Sequence, residues 1–231
     1  MWMIAHRGTI GMSRPNLIEG LHQLPDGLDG VELDVLLTVD GVPVVHHDLD
    51  FATADGETHT VADTPYLTIR RAELAGGGRI PRLKDYLAAC RHCNFPRIFV
   101  DLRFPEPDFL ATVVQVVLAS LVRDRVLFMV RNTDQAQWLR QQLPNTPIIM
   151  LRVEEENLEE SLTLFRAGVV DYLVPTPRDH RLAVGLEVAK KALSAGARIG
   201  VSIINDPDNL QAVRQLGCSF AITDNPIDVS G

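Results

Sequence analysis

The chain has 231 residues, of which 46% are hydrophobic and 23% are charged, and its formal net charge is −8. This composition is ordinary for a globular protein, and the length suits one large core such as a single α/β barrel. The negative charge argues against a nucleic-acid partner, because no basic stripe is present to neutralise a phosphate backbone. An anionic small-molecule substrate would need local positive charge from a metal ion or a few arginines.

The sequence contains no pattern typical of a secretory leader or a membrane span. The N-terminal stretch MWMIAHRG lacks a basic region followed by a long apolar core, and no later segment approaches the roughly 18–20 apolar residues of a transmembrane helix. The odd number of cysteines fits a reducing compartment. We therefore expect a cytoplasmic protein without stable membrane insertion, and its oligomeric state stays open.

Short β-type runs alternate with helical stretches along residues 1–231, which is the pattern of one parallel sheet built from βα units. The eight runs and seven intervening helices predict a single TIM (β/α)8 barrel, with a closing helix that is short or absent. The expected strands are Trp2–Ala5, Gly30–Leu36, Arg97–Leu102, Arg125–Val130, Pro147–Arg152, Val170–Val174, Arg198–Ile203 and Ser219–Thr223. The expected helices are Asn16–Leu24, Pro81–Cys93, Asp108–Leu121, Thr133–Leu143, Leu158–Gly168, Arg181–Gly196 and Pro207–Leu216.

One region, residues 38–78, interrupts the alternation between the second strand and the second helix. Its VDG turn is followed by the apolar run Val42–His47, which predicts a chain that returns along the strand it has just left. Loops that follow the strands of a TIM barrel lie over its C-terminal mouth, where active sites are found. We expect this insertion to cover that face.

Glu32 and Asp34 stand two residues apart in the second strand, so their side chains project from the same face. Two anions on one face repel each other and lose hydration unless a cation lies between them. Asp101 lies near the end of the third strand and would meet them at the same rim. Three carboxylates form an all-oxygen site suited to Mg²⁺ or Ca²⁺, whereas the structural alternative is a salt-bridged pair facing a helix.

Arginine and histidine residues also lie just after strands, at the same end of the barrel as the carboxylates. Arg7 and Arg103 have planar guanidinium groups that suit phosphate oxygens, and we expect them to bind substrate. His6 and His47 titrate near neutrality, so that one can accept a proton while the other donates one. Metal ion, arginines and paired histidines together describe phosphodiester cleavage.

Six stretches of the sequence include most of these residues and their neighbours: AHRG at 5–8, ELDV at 32–35, TVDGVPVVHHD at 38–48, TPYLTIRRAEL, IPRLKDYL, and ITDNP at 222–226. Together they resemble the motifs of the glycerophosphodiester phosphodiesterases. The resemblance implies a TIM barrel, a divalent metal ion at Glu32 and Asp34, and acid–base catalysis by His6 and His47. It also implies hydrolysis of a glycerophosphodiester to glycerol 3-phosphate and an alcohol, with the adjacent glycerol hydroxyl as one candidate nucleophile.

His46 precedes His47, and strand alternation would send the two side chains to opposite faces. The resemblance favours His47, because it stands directly before Asp48.

Several positions depart from the family pattern. Pro15 occupies the place of the glutamate in a Pro-Glu-Asn-Thr element, and Asp101 and Arg103 replace a glutamate and a lysine. Ser202 and Ile203 stand where the family has Trp-Thr, which removes an aromatic wall. The preferred alcohol group is therefore open.

Two other functions compete with this assignment. One is a barrel that binds a phosphorylated ligand without catalysis, and the other is a phospholipase D-like activity on lysophospholipids. The CRHC spacing of Cys90 and Cys93 has no second cysteine pair to complete a zinc site, so we expect two half-buried thiols near a helix end.

Overall fold

The computed structural model describes residues 1–9, 14–175 and 182–225. Within them, strands and helices alternate along the chain except in residues 38–78. The strands are β1 (Trp2–Ala5), β2 (Gly30–Leu37), β3 (Pro43–Val45), β4 (Asp50–Ala52), β5 (Thr58–Thr60), β6 (Arg97–Leu102), β7 (Val126–Val130), β8 (Ile148–Val153), β9 (Tyr172–Pro175), β10 (Gly200–Ser202) and β11 (Phe220–Thr223). The helices are α1 (Ile18–Leu21), α2 (Tyr66–Arg71), α3 (Leu83–Cys90), α4 (Pro107–Leu118), α5 (Thr133–Gln142), α6 (Leu158–Arg166), α7 (Leu182–Ser194) and α8 (Pro207–Gln215).

Eight of the described strands form a parallel, nearly closed barrel in the order β10-β11-β1-β2-β6-β7-β8-β9. Leu173 on β9 makes a parallel bridge to Ile199 beside β10, which joins the two ends of this order. The TIM barrel prediction is confirmed. No helix of the described residues is long and apolar enough to traverse a lipid bilayer.

The first predicted helix is the least accurate of the expected elements. Asn16–Leu24 was expected to be helical, but α1 covers only Ile18–Leu21. Asn16 cannot begin a helix because its φ of 62° is left-handed. The expected seventh strand also shortens from Arg198–Ile203 to Gly200–Ser202. The expected closing segment after residue 225, together with Arg181, lies outside the described residues.

Two hydrophobic cores lie on opposite sides of the barrel wall. The outer core packs the strands against the helices and includes Val31, Leu33 and Val35 of β2. The inner core contains Ile4, Phe99, Tyr172 and Phe220, among others. Since side chains alternate along a strand, Glu32 and Asp34 must face the barrel interior, as Asp101 does two residues after Phe99.

The inner core depends on one glycine. Gly200 stands opposite Phe220 in the parallel register, and a Cβ there would lie 2.0 Å from the ring. This space lets Phe220 pack edge-on against Phe99 and Tyr172. The bottom of the barrel is therefore filled by aromatic rings.

The insertion at residues 38–78 forms a small structure with its own core. Strand β3 runs antiparallel to β2 and pairs Val45 with Val35, which confirms that the chain returns along β2. Strands β4 and β5 form a separate antiparallel pair, and α2 follows them. The side chains of Leu36, Val44, Phe51, Val61, Ile69 and Ile80 join these elements in one cluster.

Cys90 is the last residue of α3 and is fully buried, whereas Cys93 lies just beyond the helix and is half-buried. Both are free thiols, and burial raises the pKa of each.

Candidate active site

Three buried carboxylates meet on the inner face of β2 and β6. The parallel register places Asp34 directly opposite Asp101, and Glu32 lies two residues before Asp34. One oxygen from each of Glu32, Asp34 and Asp101 lies within 4.8 Å of the others. The residues are only 3%, 2% and 5% exposed, respectively. We call this set the acidic triad.

The negative charge of the acidic triad is only partly compensated by neighbouring groups. Burial, followed by repulsion from Asp34 and Asp101, raises the pKa of Glu32 well above its ordinary value. Burial also raises the pKa of Asp101, although Arg131 opposes the shift. Hard oxygen donors at this spacing suit a divalent cation, whose bonds to oxygen are roughly 2.0–2.6 Å long. The residues present therefore fit a divalent metal ion.

The turn after β1 brings a cation to the acidic triad. Arg7 and Gly8 adopt left-handed φ values of 53° and 61°, and the backbone N–H of Arg7 donates to Glu32 Oε2 at 2.8 Å. A Cβ on Gly8 would lie 2.0 Å from the hydroxyl of Tyr86, so this turn requires glycine.

Arg7 reaches the acidic triad through its side chain as well. Its Nε lies 3.5 Å from Asp34 Oδ2, yet this buried N–H has no hydrogen-bond partner among the described residues. Such a donor is suited to an anion placed beside the carboxylates.

His6 lies between the acidic triad and Asp224. Its Nδ1 is 2.6 Å from Asp224 Oδ1, and its Nε2 is 3.9 Å from Glu32 Oε2. Asn205 holds Asp224 in place, since its Nδ2 donates to Asp224 Oδ2 at 2.9 Å and its Oδ1 accepts from the Asp224 backbone at 2.8 Å. Because a carboxylate accepts hydrogen bonds, Nδ1 carries the proton and Nε2 of neutral His6 can accept another.

The pKa values of this pair follow from the same contacts. Burial lowers the pKa of His6, and the hydrogen bond to Asp224 partly opposes this effect. Burial favours protonated Asp224, but hydrogen bonds from Asn205 and His6 outweigh it and lower the pKa of this carboxyl. Asp224 was not predicted as a site residue, although it lies in the ITDNP stretch.

The two adjacent histidines both lie beyond β3, which ends at Val45. Strand alternation therefore does not apply to these two residues. His47 Nδ1 lies 2.7 Å from Asp48 Oδ1, whereas His46 Nε2 lies 3.3 Å from the carbonyl of Asp50. His47 thus has a carboxylate on Nδ1, as His6 does, and its catalytic role stays a prediction.

Arg103 makes a contact that the sequence did not suggest. Its guanidinium donates to the backbone carbonyl of His47. This bond ties the end of β6 to the segment that carries His47. The predicted contact of Arg103 with substrate phosphate stays a prediction, and a role in positioning His47 is added to it.

Two residues at the acidic triad were missed by the sequence analysis. Arg131 pairs with Asp101, and Asn16 Nδ2 donates to Asp34 Oδ2 at 3.0 Å. Arg131 directly follows β7, so the strand-end reasoning applied to Arg103 would have found it. Asn16 follows the exposed Pro15. Apart from its place in the stretch compared with the family's Pro-Glu-Asn-Thr element, nothing in the sequence marked it as a site residue.

The seventh barrel strand, β10, ends at Ser202, which together with Ile203 replaces the Trp-Thr of the family pattern. Ser202 is half-buried at the end of β10, and Ile203 is 43% exposed.

Loss of the Asn16 amide should destabilise the fold through Asp34. We predict that Asn16→Gly, which keeps the left-handed backbone accessible, lowers the free energy of unfolding by about 1–3 kcal/mol, because a buried carboxylate loses a hydrogen bond. Urea denaturation of the metal-free protein measures this change. The control is Asn145→Gly, which removes an exposed amide in the turn before β8 and should change stability by under about 1 kcal/mol. Equal effects of the two substitutions would contradict the prediction.

Comparison with known proteins gives one consistent family. The sequence profile of the glycerophosphoryl diester phosphodiesterase family matches residues 6–228. An uncharacterized Bacillus subtilis protein, YqiK, is 26% identical over 239 residues, which cover 97% of this chain and 95% of that protein. Human glycerophosphodiester phosphodiesterase 1 is 32% identical over 110 residues, which cover 43% of this chain and 33% of that enzyme.

Solved structures share the fold. An Oleispira antarctica phosphodiesterase, in complex with the product sn-glycerol-3-phosphate, superposes with a TM-score of 0.81 at 20% identity, covering 98% of this chain and 94% of the other. A Parabacteroides distasonis glycerophosphodiester phosphodiesterase superposes with a TM-score of 0.80 at 23% identity, with coverage of 99% and 94%. The match over nearly the whole sequence means that the chain belongs to the glycerophosphoryl diester phosphodiesterase family, a family of phosphoric diester hydrolases.

Proposed function

We propose that this chain hydrolyses glycerophosphodiesters to glycerol 3-phosphate and an alcohol. The observation that carries the proposal is the orientation of His6. Asp224 holds its Nδ1, and its Nε2 faces Glu32 of the acidic triad. Family membership supports the reaction class, and the glycerol 3-phosphate in the Oleispira antarctica structure supports the substrate class. The cytoplasmic location stays a prediction from the sequence.

Glu32, Asp34 and Asp101 would hold Mg²⁺ or Ca²⁺. When bound, such an ion supplies Lewis-acid stabilisation of the charge that develops on the phosphoryl oxygens. The excess negative charge of the acidic triad and its oxygen donors support this assignment.

Arg7 would bind the phosphate. Its buried Nε–H has no hydrogen-bond partner among the described residues and lies beside Asp34. A guanidinium directed at the phosphate stabilises charge in the transition state without rearrangement. Arg103 would add positive charge nearby while it holds the carbonyl of His47.

His6 and His47 would form the acid–base pair. Each has Nδ1 on a carboxylate, Asp224 or Asp48, which leaves Nε2 to exchange protons. One histidine takes the proton of the attacking hydroxyl as its oxygen bonds to phosphorus. The other gives a proton to the alcohol oxygen as its bond to phosphorus breaks. When the attacking group is the adjacent glycerol hydroxyl, this step leaves a cyclic phosphate. Water then loses a proton to one histidine and bonds to phosphorus, while the other histidine protonates the ring oxygen whose bond to phosphorus breaks, which gives glycerol 3-phosphate.

The proposal is tested by product analysis with purified protein. Glycerophosphocholine, glycerophosphoethanolamine and glycerophosphoglycerol are each incubated with protein and Mg²⁺ or Ca²⁺, and glycerol 3-phosphate is measured. We expect release from at least one diester, and we expect His6→Gln and His47→Gln each to lower kcat by about 10²–10⁴. His92→Gln is the matched control, because His92 is exposed beyond the end of α3.

Two results would overturn this function. Absence of product from every diester would favour a binding protein without catalysis, and full activity of His6→Gln would remove the proposed mechanism. A parallel assay with detergent-dispersed lysophospholipid separates the phospholipase D-like alternative, which predicts turnover of that substrate alone.

Asp224 is expected to act as a positioning residue for His6. Asp224→Asn should lower kcat by about 10²–10⁴ with little change in KM, because an amide does not select the same tautomer of the imidazole. Steady-state kinetics with the preferred diester measure the two constants. Asp206→Asn serves as the control, since Asp206 caps α8 and accepts from the Asn209 backbone at 3.0 Å. A rise in KM with unchanged kcat would contradict the positioning role.

A further inference from the structure

Among the described residues, the guanidinium of Arg131 makes the closest contact with the acidic triad. We propose that it is a built-in counter-ion of Asp101 that competes with the divalent metal ion and so lowers the metal affinity of the site. The inference rests on the proposed function, because it requires that the acidic triad bind a metal ion.

The pairing of Arg131 with Asp101 uses both oxygens of the carboxylate. Arg131 Nε lies 3.3 Å from Asp101 Oδ1, and Nη2 hydrogen-bonds to Oδ2. The arginine side chain is 20% exposed and the aspartate side chain 6% exposed, so water screens the pair only weakly. A two-point contact of this kind is the strongest geometry for an arginine and a carboxylate.

The backbone of Arg131 is also fixed. Its N–H donates to Gln135 Oε1 at 2.8 Å, and the Gln135 amide donates to the carbonyls of Leu102 and Phe104 at 3.0 and 2.8 Å. Gln135 is only 1% exposed. Gln135 therefore links the backbone of Arg131 to the segment that directly follows Asp101. This link restricts the positions that the guanidinium can take.

The other two arginines of the site are engaged differently. Arg7 Nε lies 3.5 Å from Asp34 without a hydrogen bond, and Arg103 donates to the carbonyl of His47. Among the described residues, Arg131 alone makes side-chain hydrogen bonds from a guanidinium to the acidic triad. A metal ion that takes an oxygen of Asp101 must weaken one of these bonds and approach a fixed positive charge.

Two consequences follow from this competition. Without metal, Arg131 stabilises the fold, because it compensates a buried charge. With metal, it opposes binding through like-charge repulsion. Removal of the guanidinium should therefore weaken the metal-free protein and strengthen the metal complex, which is a pair of effects that a purely structural arginine would not produce.

Isothermal titration calorimetry of Mg²⁺ and Ca²⁺ into metal-free protein tests the proposal. We expect Arg131→Gln to lower the Kd by about tenfold or more, because a positive charge beside the ion is removed. Arg140→Gln is the matched control, since it removes an equally exposed arginine from a pair with Asp171 in which Nη2 and Oδ2 are 2.6 Å apart. The control should leave the Kd within about twofold, because the pair lies at the other end of the barrel, before β9.

Thermal unfolding gives the second measurement. Arg131→Gln should melt below the unsubstituted protein without metal, and saturating Ca²⁺ should close this gap. If Arg131→Gln does not fold, Arg131→Lys takes its place, because lysine keeps the charge without the two-point contact. We expect that variant to bind metal more tightly by a smaller factor.

The possible results separate this inference from the proposed function. Asp34→Asn identifies binding at the acidic triad, because it should abolish the titration signal. If neither ion binds, or if Asp34→Asn binds as well as the unsubstituted protein, the metal site of the proposed function fails and the inference fails with it. If binding depends on Asp34 but Arg131→Gln leaves the Kd unchanged or raises it, only the inference is overturned.

Discussion

Repulsion among three buried carboxylates is the constraint on which the rest of this site depends. Parallel pairing of β2 with β6 places Asp34 opposite Asp101, and the alternation of β2 turns Glu32 to the same side. Neither the strands nor the surrounding hydrophobic core can screen these charges. Compensation must come from groups that the loops bring to the C-terminal ends of the strands.

Each of those loops supplies a different polar group to the carboxylates. The turn after β1 supplies the N–H and guanidinium of Arg7, and the loop before α1 supplies the amide of Asn16. The residue after β7, Arg131, pairs with Asp101. The pKa of Glu32 nevertheless stays well above its ordinary value, because burial and the two aspartates outweigh the contacts of Arg7. The clustered oxygen donors of the acidic triad, together with this uncompensated charge, are the basis on which we propose a divalent ion at the site.

The barrel and the acidic triad could be predicted from sequence because both follow from local rules. Strand periodicity and spacing place Glu32, Asp34 and Asp101 without knowledge of the loops. Arg131 and Asp224 directly follow β7 and β11, so the strand-end rule places both residues at the same rim. Their pairing with Asp101 and His6 could not be predicted from local rules, since it joins segments 30 and 218 residues apart in the chain. Strand alternation could not be applied to His46 and His47, because β3 ends at Val45, and the choice of His47 rests on the family resemblance.

A crystal of this protein soaked with Ca²⁺ and glycerol 3-phosphate tests the central claim most directly. The account predicts anomalous density for one ion bonded to oxygens of Glu32, Asp34 and Asp101, with the phosphate in contact with the ion and with the Arg7 guanidinium. An acidic triad that stays empty at saturating Ca²⁺, or a glycerol 3-phosphate bound away from it, would contradict the account.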